Sequence, residues 1–226
     1  MKKISFLLGI VLAALLVFSN FSTTASNTNI AERFNIDTKK DAGASGVYTF
    51  DSAHSSIGFR VKHMGLIDVP GYFREFTGTV NYDAKDVSKS TVEFTAKATS
   101  VDTGVDRRDN HLRSKDFFEV EKFADITFKS TKIEKKGKQW MLTGDFTMKG
   151  VTKQISFPFN VAGFIPGDKA TRMGAMAATS INRRDFGVNY GSNLPNGAQV
   201  LSDEVRIDLQ IEANMSNPAA TTTKAE

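Results

Sequence analysis

The sequence lacks cysteine altogether and contains only three histidines, His54, His63 and His111, among its 226 residues. The absence of cysteine excludes disulfides, thiolate metal sites and a cysteine nucleophile. His54 and His63 are nine residues apart, which would place them on opposite faces of a single strand. Neither a G-x-S-x-G motif, a glycine-rich phosphate loop nor an H-E-x-x-H pattern occurs. We therefore expect no catalytic residues, no metal site and no cofactor.

The sequence also has little excess of either charge. Its formal net charge is +4, and Lys2 and Lys3 at the N-terminus supply two of the positive charges. Nucleic-acid-binding domains carry a clustered basic face on a strongly basic background. A nucleic-acid partner is therefore not expected.

Long apolar runs are missing, apart from one near the N-terminus. Residues 6–18 are apolar, follow two lysines and precede the small residues STTA. This run is shorter than the ~20 residues of a membrane-spanning helix, which favours a signal peptide over 1–25. We expect a cleaved, periplasmic or secreted protein without a permanent membrane anchor. Residues 26–46 are expected to be a flexible leader, 47–213 one domain, and 214–226 a polar disordered tail.

Alternation of apolar and polar residues is the main pattern within that domain. It is regular in SIGFRVKH (56–63), TVEFTAKAT (91–99), QWMLTGDFTMKG (139–150), VTKQISFPFNV (151–161) and EVRIDLQIEA (204–213). It is weaker in 47–51, 72–83, 125–134 and 172–183. A period of two predicts strands with one buried face, and helical periodicity is confined to 105–115. The predicted fold is all-β, an antiparallel up-and-down β-barrel of about eight strands with one short helix, and a two-sheet sandwich is the alternative.

Phenylalanine supplies 18 of the aromatic residues, against four tyrosines and one tryptophan. Phenylalanine brings apolar surface without a polar group that needs a partner, so the inner face suits an apolar guest. Small residues on the same faces, such as Gly144, would leave room for it, although a solid core is the alternative. The candidates for lining a ligand tunnel are Ile57, Phe59, Val61, Phe76, Val80, Phe94, Ala96, Phe117, Phe118, Phe128, Leu142, Phe146, Phe157, Phe159, Ala175 and Ala177.

The segment DRRDNHLRSKDFFEV (106–120) concentrates charge. We expect Asp106 to cap a short helix, Asp109 to reach back to its start, and Asp109 and Arg113 to pair at i,i+4. Leu112 and two phenylalanines after it would plug one end of the barrel. A second RRD occurs at 183–185, and the loop 184–203 has the length of a binding loop or lid.

These arginines have two interpretations. Arginine and aspartate so close in sequence favour salt bridges that hold the end of the barrel in place. The alternative is a basic rim that contacts an anionic head group. The candidates for this rim are Arg107, Arg108, His111, Arg183 and Arg184.

Several segments together resemble the YceI-like, polyisoprenoid-binding family over about 47–213. They are YTFDSAHSSIGFRVKHMG, GYFREFTGTVNYD, VDTGVDRRDNHLRSKDFFEVEKFADITFKST, LTGDFTMKGVTKQISFPF and INRRDFG. The resemblance implies a lipocalin-like barrel, often dimeric, whose apolar tunnel holds a polyprenyl phosphate, a quinone tail or a fatty amide, in a family not known as enzymes. The sequence departs from the family in the loop after INRRDFG and at Leu66 and Val69, where more polar or smaller residues would be expected.

Three functional hypotheses follow. The first is an exported lipid-binding protein that sequesters or transports an isoprenoid-type molecule without changing it chemically. The second is a lipid-phosphate enzyme that uses the Arg/Asp/His cluster at 107–111. The third is a secreted stress or adhesion factor in which the barrel is only a scaffold.

Overall fold

The computed structural model describes residues 43–217, so the predicted signal peptide, most of the leader and most of the tail lie outside the described residues. The strands are β1 (Gly46–Phe50), β2 (Ser56–His63), β3 (Ile67–Phe73), β4 (Phe76–Tyr82), β5 (Thr91–Lys97), β6 (Val101–Asp102), β7 (Asp125–Lys136), β8 (Gln139–Met148), β9 (Val151–Ile165), β10 (Ala170–Asn182) and β11 (Leu201–Ser216). One helix, α1 (Asp106–Arg113), follows β6. Short 3₁₀ turns include Arg183–Phe186 after β10. Within residues 43–217, no helix has the length and apolar character needed to cross a membrane.

Strand β11 closes the sheet into a barrel. One of its edges, from Glu204 to Ser216, pairs with the whole length of β10. Its other edge pairs with β2 between Leu201 and Gln210 and with β1 at Ala213 and Asn214. Around the barrel, β1 and β2 therefore together count as one strand, β3 and β4 as a second, and β5 and β6 as a third. The predicted eight-stranded antiparallel barrel is confirmed and the sandwich alternative is wrong.

The sequence-based strands correspond to most of the observed ones, but the predicted strand 72–83 is two strands. Strand β3 ends at Phe73 and β4 begins at Phe76. The part of β3 from Ile67 to Gly71 was missed because it contains Pro70, which weakens a strand prediction. Proline is tolerated there because β6 pairs with β3 only at Tyr72 and Phe73, leaving residues 67–71 with one neighbouring strand in the described chain. At the other end of the domain, β11 includes the first three residues of the predicted tail, 214–216.

Helix α1 lies across one end of the barrel but is held differently from the sequence-based expectation. Its N-cap residue is Val105, and no side chain caps it. Asp109 is buried and accepts hydrogen bonds from the N–H and Oγ1 of Thr103 rather than capping the helix or pairing with Arg113. Arg113 donates from Nε to the Thr99 carbonyl, at 2.7 Å, and from Nη2 to the Val101 carbonyl, at 2.8 Å. The helix is therefore fixed to the wall through backbone carbonyls.

Arg183 holds the long loop between β10 and β11. Its side chain is 4% exposed, and burial, with Arg184 adjacent, lowers its pKa. Its five N–H donors are all used, four of them on backbone carbonyls of the loop and of β11. Those carbonyls belong to Val188, Tyr190, Leu201 and Ser202. A buried cation with every donor satisfied thus fixes the path of the loop.

We predict that Arg183→Met destabilises the protein by about 3 kcal/mol or more, because it leaves several carbonyls of the loop without a donor. For a domain of this size, such a change lowers the melting temperature by about 6–12 °C. Arg184→Met is the matched control, because that side chain is more than a third exposed and its contacts, with Asp203 and with the Asn189 carbonyl at 3.3 Å, lie at the surface. It should cost less than about 1 kcal/mol. Equal losses in thermal or urea unfolding would contradict the anchoring role of Arg183.

Candidate functional site

The barrel contains an apolar cavity of about 380 Å³ at the end covered by α1. Its walls come from β2, β3, β5, β7, β8, β10 and β11, together with α1, the segment after α1 and the loop between β10 and β11. The apolar residues that line it are Ile57, Phe59, Val61, Val69, Phe73, Phe94, Ala96, Leu112, Phe117, Phe118, Ile126, Phe146, Met148, Ile181, Val188, Val200, Leu201, Val205 and Ile207. The volume lies within the range of about 300–1,000 Å³ that is usual for small-molecule sites.

A second, smaller cavity of about 70 Å³ lies away from α1, which contributes none of its lining, and we call it the inner cavity. Ile57 and Phe94 line both cavities, so the two are adjacent. No charged side chain lines the inner one, whose walls are mainly phenylalanine, leucine, isoleucine, valine and alanine. Together they give the barrel an apolar interior with very little polar surface at depth.

The structure places all the tunnel candidates except Phe76 on the wall of one cavity or the other. Phe76 is buried in the core cluster instead. The expectation that Gly144 leaves room for a guest is also wrong, because the Phe128 ring fills that space. A Cβ atom on Gly144 would lie 2.5 Å from Cζ of Phe128. A role for the remaining candidates in binding a ligand stays a prediction.

Polar side chains gather where the larger cavity meets solvent. We call this end the mouth, and it is formed by His63, Thr103, Arg108, His111 and Tyr190. Arg108 donates from Nε to Oγ1 of Thr103, at 2.7 Å, and from Nη2 to its carbonyl, at 2.8 Å. The same hydroxyl donates to the buried Asp109 carboxylate. Thr103 therefore links the two charges, and Nη1 of Arg108 is left without a hydrogen bond to the described residues.

The loop held by Arg183 completes the mouth. The Tyr190 ring lies edge-on to His111, at 4.7 Å between centroids, and 4.9 Å from the ring of Phe117. Nε2 of His111 contacts the Asp116 carboxylate at 2.9 Å. Three aromatic rings thus connect the loop to α1 and to the segment after it. The sequence had marked this loop as a candidate binding loop, but nothing in it indicated that Tyr190 would meet α1.

The predicted basic rim divides into three groups. Arg108 and His111 line the mouth. Arg183 also borders the cavity, but it has no donor left for a head group. Arg107 and Arg184 line neither cavity, and Arg107 is exposed with no hydrogen bond or ion pair to the described residues. Within residues 43–217, none of these arginines forms the expected salt bridge with an aspartate nearby in sequence. Arg183 and Arg184 pair instead with Asp203, which is distant in sequence.

Thr103, His63 and Tyr190 are the residues of the mouth that the sequence analysis did not propose as site residues, and Thr103 has the most contacts there. Its hydroxyl and backbone join Arg108 to Asp109, yet a lone threonine before a helix carries no signal of such a role. Val69, noted as a departure from the family pattern, lines the cavity.

A group of possible metal ligands lies outside this site. Ligand atoms of Asp51, His54 and Glu212 all lie within 4.8 Å of one another. Hydrogen bonding between Asp51 and His54 raises the pKa of the histidine and lowers that of the aspartate. Arg172 pairs with Glu212 at 3.4 Å and already supplies a positive charge there. These contacts describe an exposed ion-pair cluster that fixes the turn between β1 and β2.

Comparison with known proteins agrees with this architecture. A UPF0312 protein of Staphylococcus aureus is 34% identical over 171 residues, which cover 75% of this chain and 98% of the relative. The crystal structure of the YCEI protein of Campylobacter jejuni matches with a TM-score of 0.61 and 31% identity, covering 74% of this chain and 96% of that one.

Two more distant structures share the fold. BcnA of Burkholderia cenocepacia matches with a TM-score of 0.63 and 22% identity, covering 73% of this chain and 99% of that one. A polyisoprenoid binding domain from Saccharophagus degradans matches with a TM-score of 0.55 and 15% identity, covering 75% and 98% of the two chains. Residues 48–213 match the family described as the YceI-like domain, and the chain therefore belongs to that family.

Proposed function

We propose that this protein is an exported lipid-binding protein that holds one long apolar molecule of the isoprenoid type and sequesters or transports it without chemical change. The observation that carries the proposal is the distribution of polarity along the interior. Apolar walls line both cavities, and the charged and imidazole groups occur only at the wall of the outer one. This arrangement complements a molecule with a long hydrocarbon body and a polar end.

The apolar walls supply the affinity. Removing a hydrocarbon chain from water contributes about 0.8 kcal/mol for each CH₂ group buried, and ordering the chain offsets part of that. The chain enters past Phe117 and Phe118 and extends toward Phe94, which borders both cavities. The relative from Saccharophagus degradans is described as a polyisoprenoid binding domain, and its barrel has the same fold.

The mouth supplies recognition of the polar end. Nη1 of Arg108 is free to donate a charge-assisted hydrogen bond to a phosphate or carbonyl oxygen. His111 and His63 lie on the same lining. Arg108 is already oriented by its two bonds to Thr103, so little further ordering is needed when a guest binds.

The alternative of a lipid-phosphate enzyme needs the charged residues 107–111 to act at one place. The structure separates them, because Arg107 is exposed away from the cavity and the Asp109 carboxylate is buried against Thr103. His111 is the member of the cluster at the mouth besides Arg108. The geometry therefore favours binding over catalysis by this cluster.

We predict that Val61→Trp reduces the bound lipid of host-purified protein at least tenfold, because the indole occupies part of the larger cavity. Val61 faces that cavity from β2. Lys62→Trp, which adds the same group to the outer face of the same strand, should leave lipid content unchanged. Lipid extraction with mass spectrometry gives the readout, and thermal unfolding checks that both variants fold. Full occupancy in Val61→Trp would argue that the guest does not lie in this cavity.

We also predict that Arg108→Gln weakens binding of a polyprenyl phosphate about tenfold relative to the polyprenol of equal length, because it removes a charge-assisted hydrogen bond. Arg107→Gln is the matched control and should change neither affinity, since that side chain lies off the cavity. Competition with an apolar fluorescent probe measures both ligands. If both variants lost the phosphate preference equally, long-range charge rather than contact at the mouth would be responsible.

A third prediction concerns Asp109. Asp109→Ala should destabilise the protein by about 2 kcal/mol in urea unfolding, because the N–H and hydroxyl of Thr103 lose a charged acceptor at a buried position.

The enzyme hypothesis is tested by activity. The wild-type protein should release no phosphate from a polyprenyl phosphate above the buffer rate. Phosphate release that disappears in a stably folded Asp109→Asn variant would instead establish the enzyme hypothesis.

A further inference from the structure

Exposed hydrophobic side chains are concentrated around the mouth. Seven large ones are exposed in residues 43–217: Val47, Met64, Leu66, Ile67, Val105, Ile165 and Tyr190. Five of them lie on segments that border the mouth. Three are at the tip of the β2–β3 hairpin, one immediately precedes α1, and Tyr190 is part of the mouth itself. Single exposed apolar residues are ordinary, whereas a group beside a ligand site indicates a contact surface.

The hairpin tip is built to project. His63 pairs with Ile67 across the two strands, and the turn between them is closed by the N–H of Leu66 donating to the His63 carbonyl. Residues 67–71 have no strand on their other side in the described chain. The tip is held from the β2 side, where the N–H of Met64 donates to the Val200 carbonyl at 3.0 Å, and the Leu66 and Ile67 side chains project from it. Leu66 is 79% exposed and Ile67 is 62% exposed, while His63 and Val69 on the same hairpin line the cavity. The tip is therefore an apolar extension of the cavity wall.

Two arginines at this end have groups free to contact an anionic surface, and the exposed Asp106 beside Arg107 offsets part of their charge. Arg107 is exposed on α1 without an ion pair to the described residues, and Arg108 beside it keeps Nη1 free. The carboxylate nearest the hairpin tip, Asp68, is already paired with Lys62 at 2.8 Å. A cationic side chain without a partner beside projecting apolar groups is the combination that interfacial lipid-binding segments use.

We propose that the mouth end of the barrel docks on the surface of a phospholipid bilayer containing anionic lipids. Met64, Leu66 and Ile67 insert at the level of the acyl chains, and Arg107 contacts lipid phosphates. The guest then passes between the bilayer and the cavity without crossing water. This inference rests on the proposed function. A second copy of the chain fits less well, because three side chains supply well under the roughly 800 Å² per partner that a stable dimer buries.

The test is flotation of host-purified protein, in the processed form that the host makes, with vesicles of equal parts phosphatidylglycerol and phosphatidylcholine. Leu66→Asn/Ile67→Thr should lower vesicle binding at least tenfold, since the tip loses its apolar side chains. The matched control is Val47→Thr/Ile165→Thr, which removes two similarly exposed apolar side chains remote from the mouth. It should bind vesicles as the wild type does.

The charge is tested separately. Arg107→Gln should reduce binding to the mixed vesicles about threefold and leave binding to pure phosphatidylcholine unchanged. Lys138→Gln removes an exposed charge from the β7–β8 turn and should have no effect on either. Affinity for an added apolar fluorescent probe should be the same in all four variants, because none of the substituted residues lines a cavity.

The outcomes separate docking from lipid binding. Loss of vesicle binding in the tip variant with its probe affinity intact supports the proposal. Wild-type protein that carries lipid but does not float, or a tip variant that floats as well as wild type, overturns docking and leaves the lipid-binding function standing. If the protein contains no lipid and yet floats with the vesicles in a way that depends on the tip, docking is supported and the proposed lipid-binding function is wrong. If the tip variant instead converts a dimer to a monomer in light scattering and the wild type does not float, the surface belongs to a second copy and the proposal is wrong.

Discussion

The pairing of β11 with both β1 and β2 is the constraint on which the rest of the structure depends. It closes the barrel, and closure assigns every strand one inner and one outer face. In a protein without cysteine, no covalent link supports this arrangement, so the apolar inner face must stabilise it. Strand β6 has only two residues, which leaves β3 only partly paired between Ile67 and Gly71. Val69 on that stretch lines the larger cavity.

The end of the barrel that carries the mouth is held by arginines that donate to backbone carbonyls. Arg183 fixes the loop after β10, and Arg113 fixes α1 to the residues around β6. A guanidinium has several donors in a fixed plane and can join carbonyls from segments that are far apart in sequence. These segments have irregular backbone, whose polar groups cannot be satisfied by a neighbouring strand. The charge concentrated in 106–120 and 183–185 is thus mainly used to complete the architecture where the sheet ends.

The sequence predicted the barrel and most of its inner face, because alternation depends only on which side of a strand each residue occupies. Tunnel candidates such as Phe94 and Phe157 follow from that parity alone. The partners of the charged residues could not be predicted in this way. Asp109 binds Thr103 and Arg183 binds loop carbonyls, contacts that arise only once the chain has closed. The position of empty space inside the barrel could not be predicted from the sequence either. Whether a glycine leaves a void depends on the side chain opposite it, and the Phe128 ring fills the space beside Gly144.

The polarity of the interior therefore changes from one end of the barrel to the other. In the inner cavity, the walls around Phe128 and Leu142 are apolar and the space is small, which suits a hydrocarbon chain. At the mouth, Arg108 is oriented by Thr103 and retains a free donor, which is where the proposed guest would place its polar end. Beyond the mouth, Leu66 extends the apolar surface into solvent. A guest that entered from water would expose its chain before reaching the walls, whereas one that entered from a bilayer would stay in apolar surroundings throughout. The order of polarity along this axis is the reason to connect the cavity with a membrane surface.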